Sequence, residues 1–85
     1  MKCAVYRSNK KEGAYVYCAD GFRLSELPDE LQVMLGACEM VMNLQLDEHQ
    51  KLGREDIQKV RQNLKQQGYH LQMPAKESIG VIEFN

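Results

Sequence analysis

The sequence lacks an excess of charge of either sign, and this argues against one large class of function. Its 85 residues include 11 Lys and Arg and 12 Asp and Glu, which gives a formal net charge of −1. A dedicated nucleic-acid-binding domain normally carries a basic field over much of its surface. The composition does not have that character, although it is compatible with a local basic patch. The length is that of one domain covering residues 1–85.

Long apolar runs are also absent from the sequence. The N-terminal residues do not contain the apolar stretch of about 7–15 residues that a secretory signal requires. No segment approaches the run of about 18 apolar residues that indicates a membrane-spanning helix. We therefore expect a cytoplasmic protein with no membrane partner.

Paired cysteines and metal-ligand spacings are missing as well. Cys3, Cys18 and Cys38 are an odd number of cysteines without a Cys-x-x-Cys motif, and His49 and His70 do not lie at metal-ligand spacing from them. In a reducing compartment such thiols usually act as small buried hydrophobic side chains. We expect neither a metal site nor a cofactor.

The sequence shows no grouping of residues that is typical of catalysis. A nucleophilic serine or cysteine needs a neighbouring base, and neither His49 nor His70 has such a partner nearby in the sequence. We expect His70 to be a half-exposed strand residue. The adjacent acids Glu55 and Asp56 are explained by the dipole of a helix that begins near them. The glycines are isolated and form no phosphate-binding loop.

Alternating and β-rich segments predict a small sheet. Residues 2–6 and 14–18 flank a polar stretch and form the pattern of a β-hairpin. Residues 38–46 alternate almost without a break, and residues 69–73 alternate again before a proline. Residues 79–84 are a candidate for one more short strand.

Two registers of the predicted hairpin fit the pattern. The favoured register pairs Tyr6 with Tyr15 and separates the tyrosines from the small apolar side chains. A slip of one residue would instead place Tyr15 and Tyr17 beside Cys3 and Val5.

The third strand is expected to anchor the interior through one of its faces. Strict alternation places five apolar side chains on that face: Cys38, Met40, Met42, Leu44 and Leu46. An apolar face of this kind must be covered by another element.

Two segments have the signals of amphipathic helices. The first lies around residues 28–36, where a proline and two acids open the helix and a glycine closes it. The second lies within residues 52–68 and has a narrow apolar stripe made of Ile57, Val60 and Leu64.

The predicted order is therefore strand, strand, helix, strand, helix, strand, with a candidate short last strand. This order predicts an α/β fold in which helices pack on a sheet of about four strands, as an α/β/α sandwich. A strand–helix–strand unit from Cys38 to Met73 is typically a right-handed crossover between parallel strands.

Three segments together resemble the YcgL domain family, a group of small bacterial proteins. They are "KCAVYRSNKKEGAYVY", "LPDELQVMLG" and "EMVMNLQLDEHQKLGREDIQKVRQNLKQQGYHLQMP". The resemblance covers residues 1–74, and residues 75–85 form a divergent tail. It implies an α/β/α sandwich, and it implies no established activity, substrate or cofactor.

A basic and aromatic set around the predicted hairpin turn is the main candidate for binding. The set consists of Arg7, Lys10, Lys11, Tyr15, Tyr17 and Arg23. Aromatic rings beside cations are what single-stranded nucleic acids bind, because bases stack on the rings and phosphates contact the cations. The interpretation that we favour is a solvated turn whose tyrosines pack under a helix.

The sequence therefore favours a binding module over an enzyme. We expect a non-catalytic binding or adaptor module for an unknown protein partner, present as a monomer or a weak homodimer. The alternative hypothesis is an RNA-binding accessory domain that uses the basic hairpin turn and its tyrosines.

Overall fold

A computed structural model describes residues 1–47 and 55–74 of the chain. Its elements in chain order are β1 (Lys2–Ser8), β2 (Tyr15–Ala19), a 3₁₀ turn (Leu24–Glu26), α1 (Asp29–Leu35), β3 (Cys38–Gln45), α2 (Ile57–Gln67) and β4 (Tyr69–Gln72). The candidate strand at 79–84, the divergent tail and His49 lie outside the described residues.

The four strands form one sheet in the order β3-β1-β2-β4, and every neighbouring pair is antiparallel. The predicted α/β class and the packing of helices on a small sheet are confirmed. The predicted parallel crossover is wrong. Since the β1–β2 hairpin occupies the middle of the sheet, β3 and β4 lie at opposite edges and run in opposite directions.

The two faces of the sheet carry separate apolar clusters. The α2 face contains the buried residues Cys3, Val5, Tyr17, Leu46, Val60 and Leu64. The α1 face contains the buried residues Ala14, Val16, Cys18, Leu27 and Leu35. The sheet is therefore a middle layer that is covered on both sides.

The hairpin adopts the slipped register and not the favoured one. Tyr6 lies opposite Val16, and Val5 lies opposite Tyr17. The favoured register assumed that the tyrosines share one solvent-exposed face. Both faces of the sheet are covered, so Tyr6 lies on the α1 face and Tyr17 lies on the α2 face. Tyr17 is only 7% exposed, and its hydroxyl donates a hydrogen bond to Oε1 of Gln72 at 2.8 Å.

A β-bulge divides β3 between the two faces. Tyr6 lies opposite Met40 and Val5 lies opposite Met42, so Val41 is an extra residue on β3. Residues that lie opposite one another on antiparallel strands share a face. Met40 therefore lies on the α1 face of the sheet, whereas Met42 lies on the α2 face.

The prediction that alternate side chains of β3 share one buried face is therefore wrong. Cys38 packs with the α1 cluster, whereas Leu44 and Leu46 pack with the α2 cluster. Met40 is 52% exposed and Met42 is 50% exposed, so neither anchors the interior. The bulge reverses the alternation because it inserts one residue into a pattern whose period is two.

Local capping sets the ends of α2. The carboxylate of Asp56 accepts a hydrogen bond from the backbone N–H of Gln58 at 2.9 Å, so the helix begins at Ile57 and later than predicted. Gly68 ends the helix with a φ of 92°, and its N–H donates to the carbonyls of Asn63 and Leu64.

Candidate functional site

The α1 face of the sheet is buried all along β2 but only in part along β1 and β3. Helix α1 has seven residues and spans about 10 Å, whereas the seven-residue strand β1 spans about 23 Å. The helix is held at the hairpin end, where the hydroxyl of Ser8 donates to the carbonyl of Leu35 at 2.6 Å. The far half of β1 and β3 is left open on this face.

An open groove of about 570 Å³ occupies the uncovered region. We call it the β1–β3 groove. Its floor is formed by Ala4 and Tyr6 on β1 and by Met40 and Asn43 on β3. Its volume is in the range typical of ligand sites. The small side chain of Ala4 leaves space between larger neighbours.

Residues at the sheet end and in the loop after β2 complete the groove. Lys2 and Gln45 lie opposite one another at the end away from the hairpin turn. Asp20 and Phe22 come from the loop after β2 and form its remaining wall. The Phe22 ring packs against that of Tyr69, with ring centroids 5.7 Å apart, and this contact holds the wall in place.

Two side chains of opposite charge, Lys2 and Asp20, border the groove. Lys2 and Asp20 are both exposed. Within residues 1–47 and 55–74, neither of them makes an ion pair or a side-chain hydrogen bond. The charges are of opposite sign, so the groove favours neither purely anionic nor purely cationic ligands.

A second polar cluster lies between α2 and β4. The side-chain amide of Asn63 donates to Nδ1 of His70 at 2.9 Å, which leaves the ring proton on Nε2. Nε2 then donates to Oε1 of Glu55 at 2.5 Å. The ring packs edge-on against Tyr17, with the centroids 5.6 Å apart.

This cluster has a structural role. His70 is only 8% exposed, so the expectation of a half-exposed strand residue is wrong. Both ring nitrogens are hydrogen-bonded to side chains of the domain, so neither is directed at an open surface. The hydrogen bonds connect the residue before the N-cap of α2 to β4, and they satisfy polar groups between the helix and the sheet.

Comparison with known proteins identifies the family. The model of the YcgL domain matches residues 3–75. The chain belongs to the YcgL domain family. A YcgL domain-containing protein of Klebsiella pneumoniae subsp. pneumoniae is 45% identical over 74 residues, which are 87% of this chain and 80% of the relative. A second, from Pseudomonas fluorescens, is 43% identical over 75 residues, which are 88% of this chain and 77% of the relative. A third, from Aliivibrio salmonicida, is 46% identical over 74 residues, covering 87% and 78% of the two chains.

The predicted basic set is partly assembled at the hairpin turn of the YcgL domain. Arg7, Lys10 and Tyr15 line one open depression, together with Glu12. Several of these groups have intramolecular partners. The guanidinium of Arg7 lies 3.4 Å from the carboxylate of Glu39, and Nζ of Lys10 donates to a backbone carbonyl of α1 at 3.0 Å. The backbone N–H of Lys11 donates to the Ser8 hydroxyl at 2.8 Å, which orders the turn.

The other two members of the set lie elsewhere in the YcgL domain. Tyr17 is in the α2 cluster, where its ring is covered by the helix. Arg23 follows the end of β2 that is remote from the hairpin turn, and its backbone N–H donates to the carboxylate of Glu26 at 3.0 Å.

The thiols of the YcgL domain are poor nucleophiles. Burial raises the pKa of Cys3 and Cys38, and it raises the pKa of Cys18 to about 11 with smaller contributions from the other two thiols. Each thiol is therefore protonated near neutral pH. In the described part of the chain, no three His, Cys, Asp or Glu side chains are grouped so that they could hold a metal ion. Neither helix described here is long and apolar enough to cross a membrane.

Sequence reasoning missed the β1–β3 groove and the His70 cluster. The groove depends on the bulge, the sheet order and the short reach of α1. The cluster joins residues 15 positions apart through the packing of α2 on β4. The one local signal for the groove is Met40 on β3, which alternation assigned to the interior.

Proposed function

We propose that this YcgL domain is a non-catalytic protein-binding module and that it binds its partner in the β1–β3 groove. The observation that carries the proposal is Met40, a large apolar side chain that is 52% exposed beside an open groove of about 570 Å³. Flexible methionine side chains are suited to contacts with apolar surfaces of varied shape. The polar residues around the floor give the mixed character of a protein-binding surface.

Side-chain contacts in the groove are better supported than the addition of a partner strand to β3. In the described part of the chain β3 is an edge strand, and the backbone groups of such a strand can extend a sheet. The bulge at Val41 lies in the middle of this edge. A bulge twists the strand and interrupts regular pairing, which is one way that proteins prevent strand addition.

Two substitutions on the same strand separate these modes of binding. Met40 and Met42 are the same residue type with nearly equal exposure, but only Met40 lines the groove. Met40→Ser and Met42→Ser would each be immobilised beside the wild-type protein and incubated with nuclease-treated and untreated bacterial lysate. We expect the wild type and Met42→Ser to retain the same proteins and Met40→Ser to lose them.

The outcomes of this capture experiment are distinct. Retention of the same proteins by Met40→Ser would contradict the proposal. Equal loss in both variants would indicate that the partner uses the strand edge and not the groove. Both side chains are half exposed, so urea unfolding midpoints should differ little from wild type and would exclude misfolding as the cause.

RNA binding at the hairpin turn is the alternative proposal. Its support is the depression that Arg7, Lys10 and Tyr15 share. The ion pair of Arg7 with Glu39 and the net charge of −1 weaken it. Titration of a labelled single-stranded RNA at low and high salt tests this proposal, because binding through phosphates weakens steeply as salt increases. No binding at low salt would eliminate it.

A further inference from the structure

The two ends of the β1–β3 groove differ in chemistry. The register places Tyr6 opposite Met40 at the end near the hairpin turn, and Lys2 opposite Gln45 at the other end. Four residue steps along β1 separate these ends, which corresponds to about 13 Å. One end is therefore aromatic and apolar, whereas the other is charged and polar.

The charged end presents both signs at once. Lys2 lies on β1, and Asp20 lies in the loop that follows the neighbouring strand β2. An acidic group on a ligand can approach the ammonium, and a basic group can approach the carboxylate. A nucleic acid supplies only the first of these, and its phosphates would be repelled by Asp20.

The β3 side of the groove provides hydrogen-bonding groups that suit a peptide backbone. Asn43 and Gln45 are exposed on β3, and both line the groove. A carboxamide has two N–H donors and a carbonyl acceptor. An extended peptide presents alternating N–H and C=O groups, so such side chains can pair with it without a continuous strand ladder.

We propose that the β1–β3 groove binds an extended peptide segment of about five residues, with a large apolar side chain at one end and an acidic and a basic side chain at the other. This inference rests on the proposed protein-binding function. The apolar side chain lies against Tyr6 and Met40. The acidic side chain contacts Lys2, and the basic side chain contacts Asp20.

Selection from a random seven-residue peptide library displayed on phage tests the inference directly. The bait is the full chain. We expect the selected peptides to share one large apolar residue and a pair of opposite charges separated from it by about three residues. Fluorescein-labelled copies would then be titrated with the wild type, Lys2→Glu, Asp20→Lys and Met40→Ser.

Charge reversals decide whether the polar end acts as described. Lys2→Glu and Asp20→Lys should each weaken binding of the selected peptide by about tenfold or more, equivalent to about 1.4 kcal/mol. Lys65→Glu is the matched control for Lys2→Glu, because it makes the same change of net charge at an exposed position near the end of α2. It should leave the affinity within about twofold of wild type.

Three results would overturn the inference. Peptides that need Met40 but tolerate both charge reversals would remove the proposed polarity and leave the protein-binding function standing. If the library yields no peptide whose binding depends on Met40, the inference as a whole is wrong. The lysate capture experiment then tests the proposed protein-binding function independently. Displacement of the selected peptide by an equal concentration of octauridylate would assign the groove to nucleic acid.

Discussion

Gly68 holds a backbone conformation that other residues rarely adopt, next to a wall of the groove. Its φ is 92°, and a Cβ built there would lie 2.4 Å from Cδ2 of Phe22. Gly21 has nearly the same φ of 87°, but a Cβ there would meet no atom within 4 Å. Gly68→Ala therefore combines backbone strain with a steric clash, whereas Gly21→Ala introduces the strain alone.

The expected losses of stability differ because of that clash. Left-handed backbone costs an L-residue about 1–2 kcal/mol, and the smaller entropy of the unfolded alanine chain offsets about 0.4–1 kcal/mol of it. Gly21→Ala should therefore destabilise the domain by about 1 kcal/mol. Overpacking typically adds about 1–3 kcal/mol, so Gly68→Ala should cost about 2–4 kcal/mol in all.

Urea unfolding monitored by circular dichroism measures both values. At about 4–8 °C per kcal/mol for a domain of this size, thermal scans should show a loss of about 5 °C for Gly21→Ala and at least twice that for Gly68→Ala. Since Phe22 must move to admit the new methyl group, Gly68→Ala should also weaken the binding of any ligand in the β1–β3 groove. Equal destabilisation by the two substitutions would refute the reasoning.

Three further predictions concern buried polar groups. Ser8→Ala removes a hydroxyl that is hydrogen-bonded to the end of α1 and to the hairpin turn, and it should lower the free energy of unfolding by about 1–2 kcal/mol. Ser25→Ala, at an exposed position, should lower it by less than about 0.5 kcal/mol. Chemical denaturation of the two variants measures both values. His70→Phe keeps a ring but leaves two polar partners unsatisfied, so it should lower the unfolding free energy by about 1–3 kcal/mol, and a neutral result would contradict the structural role of the cluster. The raised pKa of Cys18, about 11 against 9.0 for an ordinary thiol, means that the unfolded chain loses this proton first as pH rises. Stability should therefore decline between pH 9 and 11, and Cys18→Ala should flatten that decline.

Features determined by neighbouring residues were predictable from the sequence. Acids and a proline ahead of a short apolar stripe predicted α1, and the stripe of Ile57, Val60 and Leu64 predicted α2. Two β-rich runs around a polar turn predicted the β1–β2 hairpin. Each of these signals depends on residues a few positions apart, whose side chains interact within one element.

Features determined by pairing between distant segments were not predictable. The alternation of β3 gives no sign of the bulge at Val41, which appears only when the strand pairs with β1. The hairpin register depended on whether one or both faces of the sheet are buried. Helix α2 links opposite edges of an antiparallel sheet because the hairpin occupies the centre.

The candidate site shows the same division. The sequence drew attention to the cations of the hairpin turn because they are close together in the chain. In the structure, Arg7 contacts a side chain of β3 and Lys10 contacts a carbonyl of α1. A different surface, the groove beside Met40, is open to solvent. No local pattern could indicate that Lys2, Asp20 and Asn43 border one cavity.

The sequence by itself determined the α/β class, the helices and most of the strands, because periodicity and capping act over a few neighbouring residues. The family followed from the similarity of its segments to those of known YcgL domains. Tertiary structure alone decided the strand order, the register, the bulge and therefore the β1–β3 groove. These depend on which distant segments bury one another, and a single inserted residue in an edge strand is enough to change which side chains face solvent.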